Sequence, residues 1–179
     1  MGGLAALLHA ERRPSDAVVG TALSGPLLGV ALHIPGWQIA LGRLLAPFAP
    51  RFRMPVHLNP YILTHDEEDV ARLLSDTDLL NEVTLAWYFA SGRAMKEAAA
   101  EASRVAWPTL WLIPGDDRVC DTPTARSVFE RLPPSGDHTW REYPGLFHEL
   151  HNERAPDRDY VLRDVLEWLK RQAGRAHGT

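Results

Sequence analysis

The pattern of apolar and polar positions divides the chain into two regular stretches separated by a long irregular one. The clearest run is Thr109-Leu110-Trp111-Leu112-Ile113, opened by Pro108 and closed by Pro114-Gly115. It is too short for a buried helix and lacks polar alternation, which predicts an interior parallel strand ending in a tight turn. Ala17 to Leu23 (A-V-V-G-T-A-L), stopped by Ser24-Gly25-Pro26, predicts a second buried strand, and Thr139 to Tyr143 a third. Helical spacing appears around them. Leu4, Leu7 and Leu8 share one face of an opening helix, Arg12 and Arg13 suit the carboxyl end of its dipole, and Pro14 follows where it would stop. Thr122-Pro123 predicts a capped helix start, and Tyr160 to Arg171 closes the chain with an amphipathic helix carrying Val161, Val165 and Trp168 on one side.

Between Pro26 and Pro108 this rhythm breaks. Trp37, Leu41, Leu44, Leu45 and Phe48 recur at roughly helical spacing, Pro47, Pro50 and Pro55 punctuate an extended connection, and Thr64-His65-Asp66 precedes a helical pattern. A stretch from Leu79 to Phe89 leads to an Ala-rich helix around Arg93 to Ser103. Such an insertion between two sheet strands reads as a cap over the sheet's carboxyl edge. The division is therefore residues 1–26 core, 27–106 helical cap and 107–179 core. The cap's apolar stripe has two readings: packing on the main domain, or a surface that meets lipid or a fatty-acyl chain.

Composition narrows the partners. The chain has 179 residues, 45% hydrophobic and 23% charged, enough for one domain or a large piece of one. A net charge of −4 without a basic block argues against nucleic acid. One cysteine, Cys120, excludes an internal disulfide framework. No apolar run reaches membrane-spanning length and the N-terminus lacks a signal-peptide pattern, which points to a cytoplasmic protein with, at most, peripheral membrane contact through the cap.

The candidate chemistry sits at strand ends. Pro114-Gly115 delivers Asp116 and Asp117 to the carboxyl end of the central strand, the edge where ligands bind in open α/β sheets. Downstream, T-W-R-E-Y-P-G-L-F-H-E-L-H-N-E is a short strand, a Pro-Gly turn and then His148. An acid followed by a base, each after a strand, is the back half of a Ser…Asp…His order. Asp117 keeps the following R-V-C-D in register, and Asp116 competes with it for the acid's role. His148 and His151 in H-E-L-H lack the H-E-x-x-H spacing of a helical zinc site, so no metal or other cofactor is expected. Asp121 reads as a helix-start residue and Cys120 as a core residue beside the turn.

These motifs resemble the monoacylglycerol lipase and lysophospholipase branch of the α/β-hydrolase family. In that family the nucleophile lies in G-x-S-M-G-G, and this chain opens M-G-G-L-A-A-L. A later strand ends near S-x-P, matched by Ser24-Gly25-Pro26, and the acid's turn is resembled by P-G-D-D-R-V-C-D. The base's Y-x-G-x-x-H-E-L-x-x-E is matched by Tyr143, Gly145, His148, Glu149, Leu150 and Glu153. The family's turn glycine falls where Pro114 stands, with Gly115 one step late.

The resemblance implies the carboxyl-terminal half of an α/β-hydrolase fold with a helical cap. It assigns Asp117 and His148 to a catalytic triad, the backbone N–H of Met1 to an oxyanion hole and Gly2 to the nucleophile elbow. The serine would immediately precede Met1, so the chain is expected to be a fragment, close to inert alone, with a sheet edge that an upstream half should cover. The implied activity is a serine hydrolase of fatty-acyl esters, with a small-molecule lipid or ester as substrate. The rivals are a carboxylesterase of other specificity and a non-catalytic remnant serving as a binding module.

Overall fold

The computed structural model describes all residues except 14, 16, 32, 33, 57, 79, 80, 178 and 179, and the side chains of all the described residues but 176 and 177. Its centre is β4 (Thr109–Pro114), where the apolar run is buried at every position. It pairs in parallel with β1 (Thr21–Ser24) on one side and β5 (His138–Tyr143) on the other, giving the order β1-β4-β5. Alternation along β4 sends side chains to both faces of the sheet. On one, Trp111 and Ile113 join Leu4 and Leu7 of α1 (Gly2–Arg12), Ala98 of α4 (Leu85–Glu101), and Ala125 and Val128 of α5 (Thr122–Phe129). On the other, Leu110 and Leu112 meet Leu150 and, from α6 (Asp157–His177), Val161 and Trp168. Cover on both faces is what an unalternating parallel strand requires.

The first strand begins later than the Ala17 start expected from its β-branched residues. Val18 N–H closes a turn onto Ser15, and Thr21 is the first residue to reach its neighbour, donating to the Pro108 carbonyl at 3.0 Å. Proline offers no N–H, so the ladder cannot continue upstream of Thr109. Gly20 is also pressed against Trp168, where a Cβ would lie 2.5 Å from the indole. Pro14, the expected helix stop, lies outside the described residues; α1 nevertheless ends at Arg12.

Between β1 and β4, α2 (Gly36–Leu45) is followed by β2 (Arg53–Pro55), α3 (Glu67–Ser75) and β3 (Glu82–Thr84) before α4 begins. Asp66 caps α3 by accepting from Glu68 and Asp69 N–H. Thr84 caps α4, which therefore starts well before the alanine-rich stretch around Arg93 that marks it in the sequence. Leu79 and Leu80 fall outside the described residues. β2 and β3 form a two-stranded antiparallel sheet, which the prolines around β2 hid.

The apolar stripe of α2 does not pack on the main domain. None of its residues is buried, and Trp37, Leu44 and Phe48 are 67%, 67% and 85% exposed. The helix leans on α4 through its small side instead, with Gly42 against Leu85 and Phe89. That contact turns the large residues outward. Within α4 the packing is divided: Ala98 joins the main core beside α1, where Arg12 bonds Glu97 and Glu101 at 2.8 Å each.

Two tryptophans separate core from surface. Trp168→Ala, at a residue 2% exposed, should cost about 3–5 kcal/mol in chemical denaturation, while Trp37→Ala should change stability by less than about 0.5 kcal/mol.

Candidate functional site

The β4–β5 ladder continues past both strands into the loops that follow them. Pro114 pairs with Tyr143, Gly115 N–H donates to the Tyr143 carbonyl at 2.8 Å, and Asp116 N–H donates to that of Leu146 at 3.0 Å. Gly115 sits so close to its neighbour that a Cβ would lie 2.7 Å from both the Tyr143 oxygen and Pro144 Cα. Position 115 therefore has no room for a side chain. Gly145, at φ +76°, makes the turn that leads to His148.

The two loops bring Asp117 and His148 together. His148 Nδ1 lies 2.9 Å from Asp117 Oδ2, and the other carboxylate oxygen accepts from Val119 N–H at 2.8 Å and Cys120 N–H at 2.9 Å. The Asp117 side chain is nearly fully buried and that of His148 about three-quarters buried. Burial opposes ionisation of Asp117, but the His148 hydrogen bond and the two backbone donors outweigh it and hold the carboxyl below its ordinary range. Burial likewise opposes charge on His148, and the Asp117 carboxylate overcomes this and raises the imidazole. An ionised acid accepts, so Nδ1–H is the donor and Nε2 is left for a reacting group.

Asp116 goes elsewhere. Its side chain is half-buried and paired with Arg118 at 2.7 Å, and Arg118 in turn lies over the Phe147 ring at 4.7 Å. Asp121 caps α5 by accepting from Thr124 N–H at 2.8 Å, one residue ahead of the expected Thr122. Cys120 is buried beside the turn, its Sγ 3.6 Å from the Gly25 carbonyl. The segment after β1 runs against the acid turn, with Val30 bridging Cys120 and Asp121 N–H donating to Gly29.

The opening of α1 lies next to this pair. Gly25, at φ +46°, has its α-carbon so near His148 that a Cβ would sit 3.0 Å from the ring, and Pro26 packs on Gly3 at the equivalent distance. Gly25 thus needs glycine for both space and conformation. The steric constraint at the helix start falls on Gly3, whereas a Cβ at Gly2 would meet nothing within 4 Å. Met1, at the N-cap of α1, is exposed. His148 lines a cleft of about 340 Å³ with Ser24, Arg72, Leu73, Glu149, His151 and Asn152.

Among the described residues, Asp117, Cys120 and His148 hold an oxygen, a sulfur and a nitrogen within 4.8 Å of one another, with the carboxylate and the imidazole already engaged with each other at 2.9 Å. The sequence pairing of His148 with His151 missed this trio, because Cys120 approaches only through the fold of the turn. Glu153 was legible merely as the last residue of H-E-L-x-x-E. The structure shows it 1% exposed and accepting from the Phe147 N–H, the residue before His148, at 2.7 Å.

Residues 1–155 match the family described as serine aminopeptidase, S33. The chain is 25% identical over 164 residues to phospholipase YtpA of Bacillus subtilis (strain 168), covering 91% of this chain and 62% of that protein. It is 28% identical over 177 residues to a monoglyceride lipase of Rattus norvegicus, covering 94% of this chain and 55% of the relative. The crystal structure of a monoacylglycerol lipase from Paleococcus ferrophilus superposes with a TM-score of 0.85 at 26% identity, over 95% of this chain and 65% of that one. The chain therefore spans less than two thirds of the length of each, and its fold is that of an α/β-hydrolase.

The paired shifts set a pH signature. The lowered Asp117 contributes stability present above the ordinary carboxylate range and lost as pH falls through its depressed pKa, and the raised His148 contributes stability present below about pH 6.5 and lost as pH rises through its elevated pKa. Asp117→Asn should remove both, lowering the melting temperature most between the ordinary carboxylate range and about pH 6.5 and flattening its pH profile in thermal denaturation.

Proposed function

The chain belongs to the serine aminopeptidase S33 family of α/β-hydrolases, and on that premise we propose that it supplies the acid, the base and part of the oxyanion hole of a serine hydrolase acting on fatty-acyl esters, of monoacylglycerol or lysophospholipid type. The observation that carries this reading is the 2.9 Å contact of His148 with the buried Asp117 beside the start of α1. A serine hydroxyl is a weak nucleophile. His148 Nε2 takes its proton as the oxygen attacks the ester carbonyl, and Asp117 stabilises the resulting imidazolium. The Met1 N–H, at the positive end of α1, donates to the oxyanion, with Gly2 in the elbow as the first residue of the helix. His148 then passes the proton to the departing alcohol, and water attacks the acyl-enzyme by the same base catalysis. The nucleophile in this reading is a serine immediately ahead of Met1, where G-x-S-M-G-G assigns it. No cofactor takes part.

Residues 27–106 act as the cap in this proposal. The exposed stripe of Trp37, Leu41, Leu44 and Phe48 suits peripheral contact with a lipid surface from the cytoplasm. Among the described residues no helix is long and apolar enough to cross a membrane.

The test compares the 179-residue chain with one extended upstream through a Gly-x-Ser elbow, on a vesicle-borne monoacylglycerol and a soluble p-nitrophenyl ester. Turnover is expected from the extended chain alone, falling by about 10⁴-fold in His148→Ala and in Asp117→Asn. Leu44→Asp with Phe48→Asp should lower turnover on vesicles and spare the soluble ester. Hydrolysis by the 179-residue chain, undiminished by His148→Ala, would sink the proposal.

A further inference from the structure

The loop that carries His148 is held from two sides, and only one of them is the acid at the end of β4. On the other, Glu153 is 1% exposed, an unusual setting for a carboxylate. Its oxygens accept from the Phe147 N–H at 2.7 Å, the His65 N–H at 3.0 Å and His65 Nδ1 at 3.0 Å. One side chain therefore joins the residue before His148 to the segment that opens α3. Further hydrogen bonds cross the same seam in both directions. Thr64 Oγ1 donates to the Asn152 carbonyl at 2.6 Å, Glu149 N–H donates to the Leu63 carbonyl at 2.8 Å, and Arg154 Nε donates to the His65 carbonyl at 2.5 Å. The His65 ring stacks on Phe147 at 3.7 Å, and Arg118 lies over Phe147 as well. His65, Phe147 and Arg118 thus link the insertion, the histidine loop and the acid turn.

We propose that Glu153 is a positioning residue for His148: its buried carboxylate ties the histidine loop to the insertion at His65, so that the geometry of the acid–base pair depends on how the 63–66 segment is seated. A buried carboxylate is costly unless every lone pair is used. A purely structural role would be served by packing Leu150, which is already fully buried two residues after His148. The carboxylate adds direction instead, because it receives one backbone N–H from each side of the seam and the His65 ring besides. The consequence is that events in the insertion reach His148 through hydrogen bonds as well as through shape. The significance of this link for catalysis rests on the reading of His148 as the base; its measurement does not.

The readout is the titration midpoint of His148 itself, followed by NMR in the 179-residue chain and assigned by loss of its signal in His148→Ala. The groups that bear on this imidazole are Asp117 and Cys120 behind it and Arg72, Glu149 and His151 in the cleft. Glu153→Gln keeps the shape and one acceptor but loses the charge. It should shift the His148 midpoint toward the ordinary imidazole value by about one pH unit or more, a tenfold weakening of the hold on the proton. His65→Gln, at a side chain 37% exposed, should shift it in the same direction by less, with the thermal transition retained. A Glu153→Gln chain that loses thermal stability while His148 titrates as in the wild type would overturn the proposal. If Glu153→Gln does not fold, His65→Gln decides: a shifted midpoint supports the link and an unmoved one refutes it. Because no hydrolysis is measured, these outcomes are independent of whether the ester substrate is correctly identified.

Discussion

The hydrogen bond between Asp117 and His148 depends on the parallel register of β4 and β5. That pairing leaves Pro114 opposite Tyr143, and the next two donors, Gly115 and Asp116, carry the ladder into the turns on either side. The acid and base therefore reach each other from rigid backbone, not from free loops. Glycine at 115 is what permits the approach, since any side chain there would collide with Tyr143 and Pro144. Gly25 does the same from the third strand, closing against the His148 ring. Three parallel strand ends thus converge on one imidazole, with α1 starting beside them.

The insertion meets the histidine loop through polar contacts, and it joins the main core through Ala98 of α4. Its hydrophobic face, α2, looks outward, while its other end meets the histidine loop through His65, Thr64 and Glu153. A helix of this composition is conspicuous on a folded surface, where contiguous apolar area usually marks a contact with something else. The outward apolar stripe and the polar seam thus lie in different parts of one segment.

Much of this was legible in the sequence, for reasons that can be stated residue by residue. β4 announced itself because a strand covered on both faces needs an unbroken apolar run. The caps of α3 and α5 followed from Asp66 and from the Asp121-Thr122-Pro123 cluster, with the boundary of α5 displaced by one residue because the aspartate, not the threonine, accepts the first N–H. The order of acid and base pointed to the pairing of Asp117 with His148, but the choice between Asp116 and Asp117 needed the turn itself, which sends Asp116 to Arg118. What stayed hidden depended on distant partners. The start of β1 was decided by Pro108, the orientation of α2 by Gly42 against α4, and the burial of Glu153 by a segment some ninety residues upstream. Periodicity reports the face a helix wants to bury; it does not report whether anything is there to bury it.

The central claim is that this polypeptide by itself assembles a charged, hydrogen-bonded aspartate–histidine pair. Proton NMR at low temperature tests it most directly, through the Nδ1–H of His148. A strongly downfield resonance that disappears in Asp117→Asn is the result the account predicts. Its absence, with His148 titrating as an ordinary exposed imidazole, would contradict the account and leave the two residues as neighbours in sequence pattern only.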